Sequence, residues 1–263
     1  MLEINKVYLG DCIKIMPQID NKSIDMILCD LPYGTVQCSW DTIIPFKPLW
    51  EQYNRIIKDD GAIVLTSVQP FTTKLISSNM DMFQYCWVWD KINAANFMHA
   101  KYHPLKSHED ICIFSKSTSY SISKNHVKYN PQGLIPLKNK IINNGLSAGG
   151  ESSGFKGDTC LFKNDTYKQE FTGYPKTILT YPMDDEKLHP TQKPVSLFKY
   201  LIKTYTNKND LVLDNCAGSG TTGEACLKSG RNYILIEQDN KYFKNINKRL
   251  KNVEIDIDNY NKW

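Results

Sequence analysis

Short apolar runs that alternate with amphipathic stretches constrain the fold of this 263-residue chain more than any other feature. The runs predict six strands, over residues 24–29, 61–67, 83–89, 111–115, 210–214 and 232–237. Their lack of strict polar–apolar alternation favours strands that are covered on both faces. Apolar residues at helical spacing predict three helices, over 46–58, 194–205 and 240–250. This succession predicts an α/β fold with a doubly wound, mostly parallel sheet.

The segment from 117 to 185 interrupts this alternation. It contains the Gly-, Ser- and Asn-rich stretch NNGLSAGGESSGFKG and no periodic apolar face, so it predicts a loop-rich insert. Residues 1–116 and 186–263 are then the two halves of one domain. Between Ser117 and Lys176, eight lysines face four acids, an excess that equals the net charge of +4 of the whole chain. The insert is either a solvated surface or a basic surface that faces an anionic polymer.

The eight cysteines form no CxxC pair, and several lie inside apolar runs, as buried free thiols do. This pattern predicts a reducing, cytoplasmic setting. The beginning of the sequence contains no apolar signal region, and no uncharged run approaches the ~20 residues that span a bilayer. No membrane association is therefore expected.

A glycine turn in the last fifth of the chain predicts a nucleoside site. In LVLDNCAGSGTTGEA (211–225), a strand ends at Asp214, the turn Ala217-Gly218-Ser219-Gly220 follows, and a helix begins near Thr221. Small residues let a ligand approach the backbone, and the helix N-terminus offers free N–H groups. The next strand ends at Glu237, where a carboxylate is placed to bind both ribose hydroxyls. An acid directly before the turn suits a cation or an amino group better than a phosphate, which favours S-adenosylmethionine over a dinucleotide.

The motif DLPYG (30–34) follows the first predicted strand and suits a planar group. Asp30 supplies a carboxylate, Pro32 biases Leu31 toward an extended backbone, and Tyr33 offers an aromatic ring. The competing interpretation is a turn cap at Asp30, with Pro32 and Tyr33 as packing residues.

The order of these motifs resembles the β class of DNA amino-methyltransferases, in which the catalytic motif precedes the cofactor motif. DLPYG resembles the motif written Asp-Pro-Pro-Tyr in many members, and DNCAGSG (214–220) resembles the cofactor turn. Three further segments resemble parts of the family, GDC (10–12), PLKSHEDICIF (104–114) and HPTQKPV (189–195). The resemblance covers nearly the whole chain outside the insert. It implies a Rossmann-like methyltransferase fold that depends on S-adenosylmethionine and has a permuted motif order.

The resemblance also implies roles for single residues. Asp30 and the Leu31 carbonyl would accept the two N–H bonds of an exocyclic amine, in a catalytic motif that Pro32 and Tyr33 complete. The methyl donor would be held by residues from both ends of the chain: its amino-acid part by Asp214 and the turn Ala217–Thr221, its ribose by Glu237, its adenine by Asp11, and its methionine end by Thr191 and Lys193. Plain turns are the alternative interpretation for Asp11 and for HPTQKP.

The resulting hypothesis is a site-specific enzyme that transfers a methyl group to N6 of an adenine flipped out of duplex DNA. Aspartate at position 30 is the reason to prefer adenine, because cytosine-N4 members of the family more often carry serine there. The alternatives are a cytosine-N4 enzyme, a DNA-binding module without turnover, and a methyltransferase of RNA or protein amides. A homodimer is an expectation, since members of this class often self-associate.

No metal is expected. His99 and His103 have the four-residue spacing of helical metal ligands, but the flanking residues and Pro104 do not predict a continuous helix. His108 and Glu109 are interpreted as supports of the strand that follows them.

Overall fold

The computed structural model describes residues 2–34, 41–117, 126–144, 166–184 and 192–253. The strands are β1 (Lys6–Leu9), β2 (Ile24–Asp30), β3 (Ile57–Ser67), β4 (Phe83–Ala95), β5 (Lys106–Phe114), β6 (Ile135–Asn144), β7 (Thr166–Thr172), β8 (Ile178–Thr180), β9 (Leu211–Asp214) and β10 (Asn232–Glu237). The α-helices are α1 (Cys12–Ile15), α2 (Phe46–Ile56), α3 (Phe71–Ser77), α4 (Val195–Tyr205), α5 (Thr221–Leu227) and α6 (Asn240–Lys251). Short 3₁₀ helices cover Met16–Gln18 and Phe97–His99.

Within the described residues, eight strands form one sheet in the order β1-β10-β9-β2-β3-β5-β4-β8. The first five strands in this order pair in parallel. β5 runs antiparallel to both of its neighbours, β3 and β4, and β8 joins β4 in parallel. The predicted doubly wound, mostly parallel α/β sheet is confirmed. The chain begins with β1 at one edge, continues with β2 to β5 and β8 on the other side of the sheet, and then returns to insert β9 and β10 between β2 and β1.

Apolar residues on both faces of the central strands explain why these runs show no alternation. Every residue of β2 from Ile24 to Cys29 is buried. Ile27 and Cys29 belong to the apolar cluster that contains α2, whereas Met26 and Leu28 belong to the cluster that contains α4. Since successive side chains of a strand point to opposite faces, the two clusters lie on the two sides of the sheet.

Residues 131–176 form a second compact unit, whose described part is the antiparallel hairpin of β6 and β7. The prediction of a loop-rich segment without regular structure is wrong for this hairpin and for β8. An exposed ion pair joins Lys140 and Glu170 across the hairpin. A ribbon with polar cross-strand pairs leaves no apolar period in the sequence.

The larger unit also includes residues on either side of that hairpin, up to Asn130 and from Thr177 onward. Val127 is buried in its core, and Lys128 forms ion pairs with Asp25 and Asp210. The second compact unit is therefore narrower than the 117–185 insert expected from the sequence. The interpretation of this region as a basic surface that faces an anionic polymer stays a prediction.

Candidate active site

The parallel strands bring the two predicted motifs to one edge of the sheet. β2 ends at Asp30, β9 ends at Asp214 and β10 ends at Glu237. β9 lies between β2 and β10, and β1, on the far side of β10, leads directly to Asp11. Because the carboxyl ends of parallel strands meet at the same edge, residues from both ends of the chain lie close together.

A cavity of about 700 Å³ opens at this edge, a volume typical of ligand pockets. Its walls include most of the predicted site residues, namely Asp11, Asp30, Leu31, Pro32, Tyr33, Lys193, Asp214, Ala217, Gly218, Ser219, Thr221 and Glu237. Gly220 has a different place: it is the N-cap residue of α5, and a Cβ there would lie 2.9 Å from Ile246 Cγ2. Thr191 lies outside the described residues.

Three donors hold the Asp30 carboxylate. Its Oδ1 accepts hydrogen bonds from the Tyr33 and Thr66 hydroxyls, both at 2.5 Å. Its Oδ2 accepts a hydrogen bond from the Lys193 ammonium, also at 2.5 Å. The side chain is still 22% exposed, so a ligand in the cavity can reach it. The neighbouring Leu31 is buried in the core, which explains how an apolar residue fits where the family motif often has proline.

Tyr33 places an aromatic ring beside Asp30 in the cavity wall. The ring packs against Phe71, with the centroids 5.2 Å apart, and Lys193 Nζ lies 5.7 Å from the Tyr33 centroid. Burial raises the pKa of Tyr33 well above its ordinary value, and the charge of Asp30 raises this pKa further. The hydroxyl therefore stays protonated and orients Asp30 while the ring forms part of the wall.

Lys193 links Asp30 to a second carboxylate, Glu109. Lys193 Nζ lies 3.5 Å from Glu109 Oε2, and Lys91 pairs with Glu109 Oε1. Burial lowers the pKa of Lys193, but the charges of Asp30 and Glu109 raise it by more, so its pKa lies above the ordinary value. Lys193 is thus a buried cation between two anions. Glu109 Oε2 is also buried, and within the described residues the ion pair with Lys193 is its contact while no hydrogen bond reaches it.

Glu109, Lys91 and Thr66 are site residues that the sequence interpretation missed. Sequence reasoning looks for site residues directly after the ends of parallel strands. Glu109 does not follow this rule, because β5 is antiparallel and its first residues lie beside the carboxyl ends of the parallel strands. Thr66 is hidden within the apolar run GAIVLTS. The lack of a helical pattern between residues 90 and 110 is the signal that could have found Glu109, since parallel neighbours need a long crossover that is usually a helix.

Two carboxylates hold the glycine turn between β9 and α5. Asp214 accepts hydrogen bonds from the Cys216 N–H at 3.0 Å and from the Thr222 hydroxyl at 2.5 Å. Glu237 accepts one from the Gly218 N–H at 2.7 Å, which ties the turn to β10. Burial raises the pKa of Asp214 to about 6. Asp214 thus ties the end of β9 to the turn at Cys216 and to the first turn of α5 at Thr222.

The turn presents bare backbone to the cavity at Gly218. This residue has a φ of +51°, and a Cβ there would meet only the Cys216 carbonyl oxygen, at 3.9 Å. A ligand can therefore approach this backbone closely. Asp11 forms another part of the wall, and its carboxylate accepts the Ile13 N–H at 2.9 Å as the N-cap of α1. The structure thus gives Asp11 the role of a turn residue as well as a place in the cavity.

Two kinds of site are absent from the described part of the chain. No group of three or more His, Cys, Asp or Glu side chains there is arranged to hold a metal ion. In the same residues, no helix has the length and apolar character needed to cross a membrane.

The mostly parallel sheet, the glycine turn and the acid that ends the following strand together define a Rossmann-like methyltransferase fold. The comparison with family models agrees, since the DNA methylase model of the N6/N4 type matches residues 24–248. The chain belongs to this family, as the resemblance of its motifs predicted.

Individual proteins are similar over nearly the whole chain, in sequence or in fold. The chain is 29% identical to the type II methyltransferase M1.MboII of Moraxella bovis, across 97% of this chain and 100% of that protein. The fold is similar to the crystal structure of the M1.HpyAVI–SAM complex, with a TM-score of 0.59 and 21% identity over 93% of this chain and 99% of that chain. It is also similar to the cytosine-N4-specific PvuII DNA methyltransferase, with a TM-score of 0.67 and 15% identity over 98% of this chain and 89% of that chain.

Proposed function

We propose that this DNA methyltransferase transfers a methyl group from S-adenosylmethionine to N6 of an adenine that is flipped out of duplex DNA. The observation that carries the proposal is the shared cavity. The Asp30 carboxylate and the Tyr33 ring, together called the Asp30 corner, form one part of its wall, and the glycine turn forms another part. A methyl donor at the turn and a base at the corner would then be neighbours.

The residues around the glycine turn fit S-adenosylmethionine. Gly218 leaves room for close approach, and Glu237 lies at the strand end where a ribose is expected. The cavity wall contains six acids and two lysines, a balance that suits a sulfonium cation, and these residues are Asp11, Asp30, Asp41, Glu109, Asp214, Glu237, Lys91 and Lys193. When bound, the donor supplies an electrophilic methyl group.

The Asp30 corner fits an exocyclic amine. The lone pair of such an amine is delocalised into the base, so the nitrogen becomes a nucleophile only as it turns more nearly tetrahedral. A fixed carboxylate that accepts an N–H bond favours this geometry and stabilises the positive charge that develops on nitrogen. Asp30 is fixed by Tyr33, Thr66 and Lys193. The Leu31 carbonyl is the proposed second acceptor.

The ring of Tyr33 would offset part of the cost of flipping the nucleotide. Extrusion of a base from a duplex costs a few kcal/mol. Stacking on an aromatic ring returns ~1–3 kcal/mol. Contacts with phosphates would supply the remainder.

The surface that continues from the cavity suits a polyanion. β4 and β5 form a hairpin that extends past the sheet edge where the cavity opens. Residues 91–108, which include its tip, contain three lysines, three histidines and no acid. Near its tip, Phe97, Met98 and Tyr102 are more than 80% exposed. Basic side chains with exposed rings are typical of surfaces that bind nucleic acids. The basic 117–185 segment is the proposed target-recognition region.

Cytosine N4 is the second candidate, because its exocyclic amine presents the same two N–H bonds to Asp30. The experiment is digestion of DNA from cells that express the protein, followed by mass spectrometry of the nucleosides. We expect N6-methyladenine with the wild type and none with Asp30→Ala. N4-methylcytosine without N6-methyladenine would refute the adenine assignment. Methylated RNA with unmodified DNA would refute the DNA substrate as well.

Two further parts of the proposal concern the setting of the protein. The described cysteines are all free thiols, which supports the proposal of a reducing, cytoplasmic setting. They are Cys12, Cys29, Cys86, Cys112, Cys216 and Cys226. A homodimer stays a prediction that analytical ultracentrifugation measures directly.

A further inference from the structure

In the wall of the cavity, Glu109 has a buried carboxylate oxygen that forms no hydrogen bond with any residue that the structure describes. Its Oε1 is held by Lys91, whereas Oε2 has no such partner and lies 3.5 Å from Lys193 Nζ. Buried carboxylate oxygens accept hydrogen bonds in the great majority of cases, so an oxygen that has only this long ion pair with Lys193 among the described residues calls for an explanation. An oxygen that is reserved for a donor arriving during the reaction is such an explanation.

The Asp30 carboxylate presents the complementary problem. Its Oδ2 is in contact with the Lys193 ammonium, and its Oδ1 accepts two hydroxyls. An incoming amine must accumulate positive charge beside this carboxylate, and a cation hydrogen-bonded to the same oxygen opposes that charge. Asp30 would therefore act best when Lys193 has moved away from Oδ2.

We propose that Glu109 is a positioning residue whose Oε2 takes Lys193 from Asp30 when the target amine enters the site. Lys193 Nζ is 2.5 Å from Asp30 Oδ2 and 3.5 Å from Glu109 Oε2, so a shift of about 1 Å exchanges one partner for the other. Lys193 keeps a carboxylate partner throughout, and Asp30 Oδ2 becomes free to accept the amine N–H. Lys91 holds the opposite oxygen of Glu109 and thereby fixes the acceptor. This inference rests on the proposed function.

A double-mutant cycle tests whether Glu109 acts through Lys193. Glu109→Gln keeps the shape and removes the charge, and we expect single-turnover methyl transfer to fall about 10- to 100-fold, since a charge-assisted hydrogen bond is lost. The affinities for DNA and for the methyl donor should change less than about 3-fold. In a Lys193→Met background, Glu109→Gln should change the rate less than about 3-fold, because the side chain it acts on is absent. Glu109→Asp, which keeps the charge, should recover part of the rate.

The matched control is Asp110→Asn, the next residue of β5, whose carboxylate accepts a hydrogen bond from the Thr72 hydroxyl. We expect its transfer rate to stay within about 2-fold of the wild type. Melting temperatures of all variants separate loss of folding from loss of positioning.

A crystal structure with methyl donor analogue and target duplex provides a readout that does not depend on turnover. We expect Lys193 Nζ within about 3 Å of Glu109 Oε2 and withdrawn from Asp30 Oδ2. Lys193 still on Asp30 beside a bound base would overturn the inference. So would a Glu109→Gln enzyme as fast as the wild type, or equally impaired with and without Lys193, and each of these results leaves the proposed function intact. Failure of the wild type to methylate any DNA base would instead refute the proposed function itself, and the inference with it.

Discussion

Asp30→Asn removes one charge from the active site and preserves the shape of the side chain. The asparagine can still offer an oxygen to the Tyr33 and Thr66 hydroxyls, but its amide NH₂ would then face the Lys193 ammonium in place of Oδ2. A fixed group that stabilises charge in the transition state contributes about 2.7–4 kcal/mol. We therefore expect methyl transfer to slow roughly 10²- to 10³-fold.

The same change should cost much less in stability. Hydrogen bonds to charged groups contribute about 1.5–3 kcal/mol. Asp30 is 22% exposed and Lys193 retains Glu109, so we expect a loss near the middle of that range. A loss of about 2 kcal/mol lowers the melting temperature by roughly 4–8 °C in a domain of this size. Affinity for the methyl donor should stay within a few-fold, because the glycine turn is unchanged.

The assay is single-turnover transfer of labelled methyl groups to DNA, and Asp25→Asn is the matched control. Asp25 is a buried carboxylate on the same strand, paired with Lys58 at 2.7 Å and Lys128 at 3.2 Å. Its substitution should lower the melting temperature at least as much as Asp30→Asn while transfer below that temperature stays near the wild-type rate. The assignment of Asp30 is refuted if Asp30→Asn slows transfer less than tenfold, or no more than Asp25→Asn does.

Two further predictions concern the glycine turn. Gly220→Ala combines a φ of +80° with a Cβ 2.9 Å from Ile246 Cγ2, so urea unfolding should show that the unfolding free energy falls by roughly 2–4 kcal/mol. Gly218→Ala should lower the unfolding free energy by only about 1 kcal/mol, but it should weaken binding of the methyl donor, as measured by calorimetry. Equal losses of unfolding free energy in the two variants would contradict this contrast. Burial raises the pKa of Asp214 to about 6, whereas the unfolded pKa is ~3.9, so the folded protein holds this proton more tightly than the unfolded chain does. The stability that this difference provides is fully present below pH ~3.9 and is lost as the pH rises through 6. Between pH 4 and 7 the unfolding free energy of the wild type should fall by roughly 2 kcal/mol relative to Asp214→Asn, and a difference independent of pH would refute this.

The sequence predicted the parallel part of the site because that part follows a local rule. Asp30, Asp214 and Glu237 each end an apolar run, and parallel pairing brings such ends together. The partners of these residues obey no local rule. Thr66 meets Asp30 through the register of β3, and the contacts of Asp214 with Cys216 and Thr222 depend on how the turn closes.

The polar hairpin of β6 and β7 and the short strand β1 escaped prediction for a related reason. Both are stabilised by pairing with a neighbouring strand, and neither contains a long apolar run. β1 has four residues, none of them fully buried, and it is defined by its parallel register with β10. Pairing energy of this kind depends on the partner strand, so a single segment of sequence carries little trace of it.

The reversed direction of β5 accounts both for the missed residue Glu109 and for the arrangement of the active site. A parallel strand in this position would bring its end, Phe114, to the site edge. The antiparallel strand places Glu109 there, opposite Trp89 of β4, and its continuation forms the basic hairpin of residues 91–108. One hairpin therefore provides Lys91 and Glu109 to the cavity wall and the exposed side chains of Phe97 and Met98 to the adjacent surface. If DNA binds that surface, it binds the element that carries Glu109, the proposed positioning residue for Lys193, and substitutions at the tip should then alter the transfer rate as well as DNA affinity.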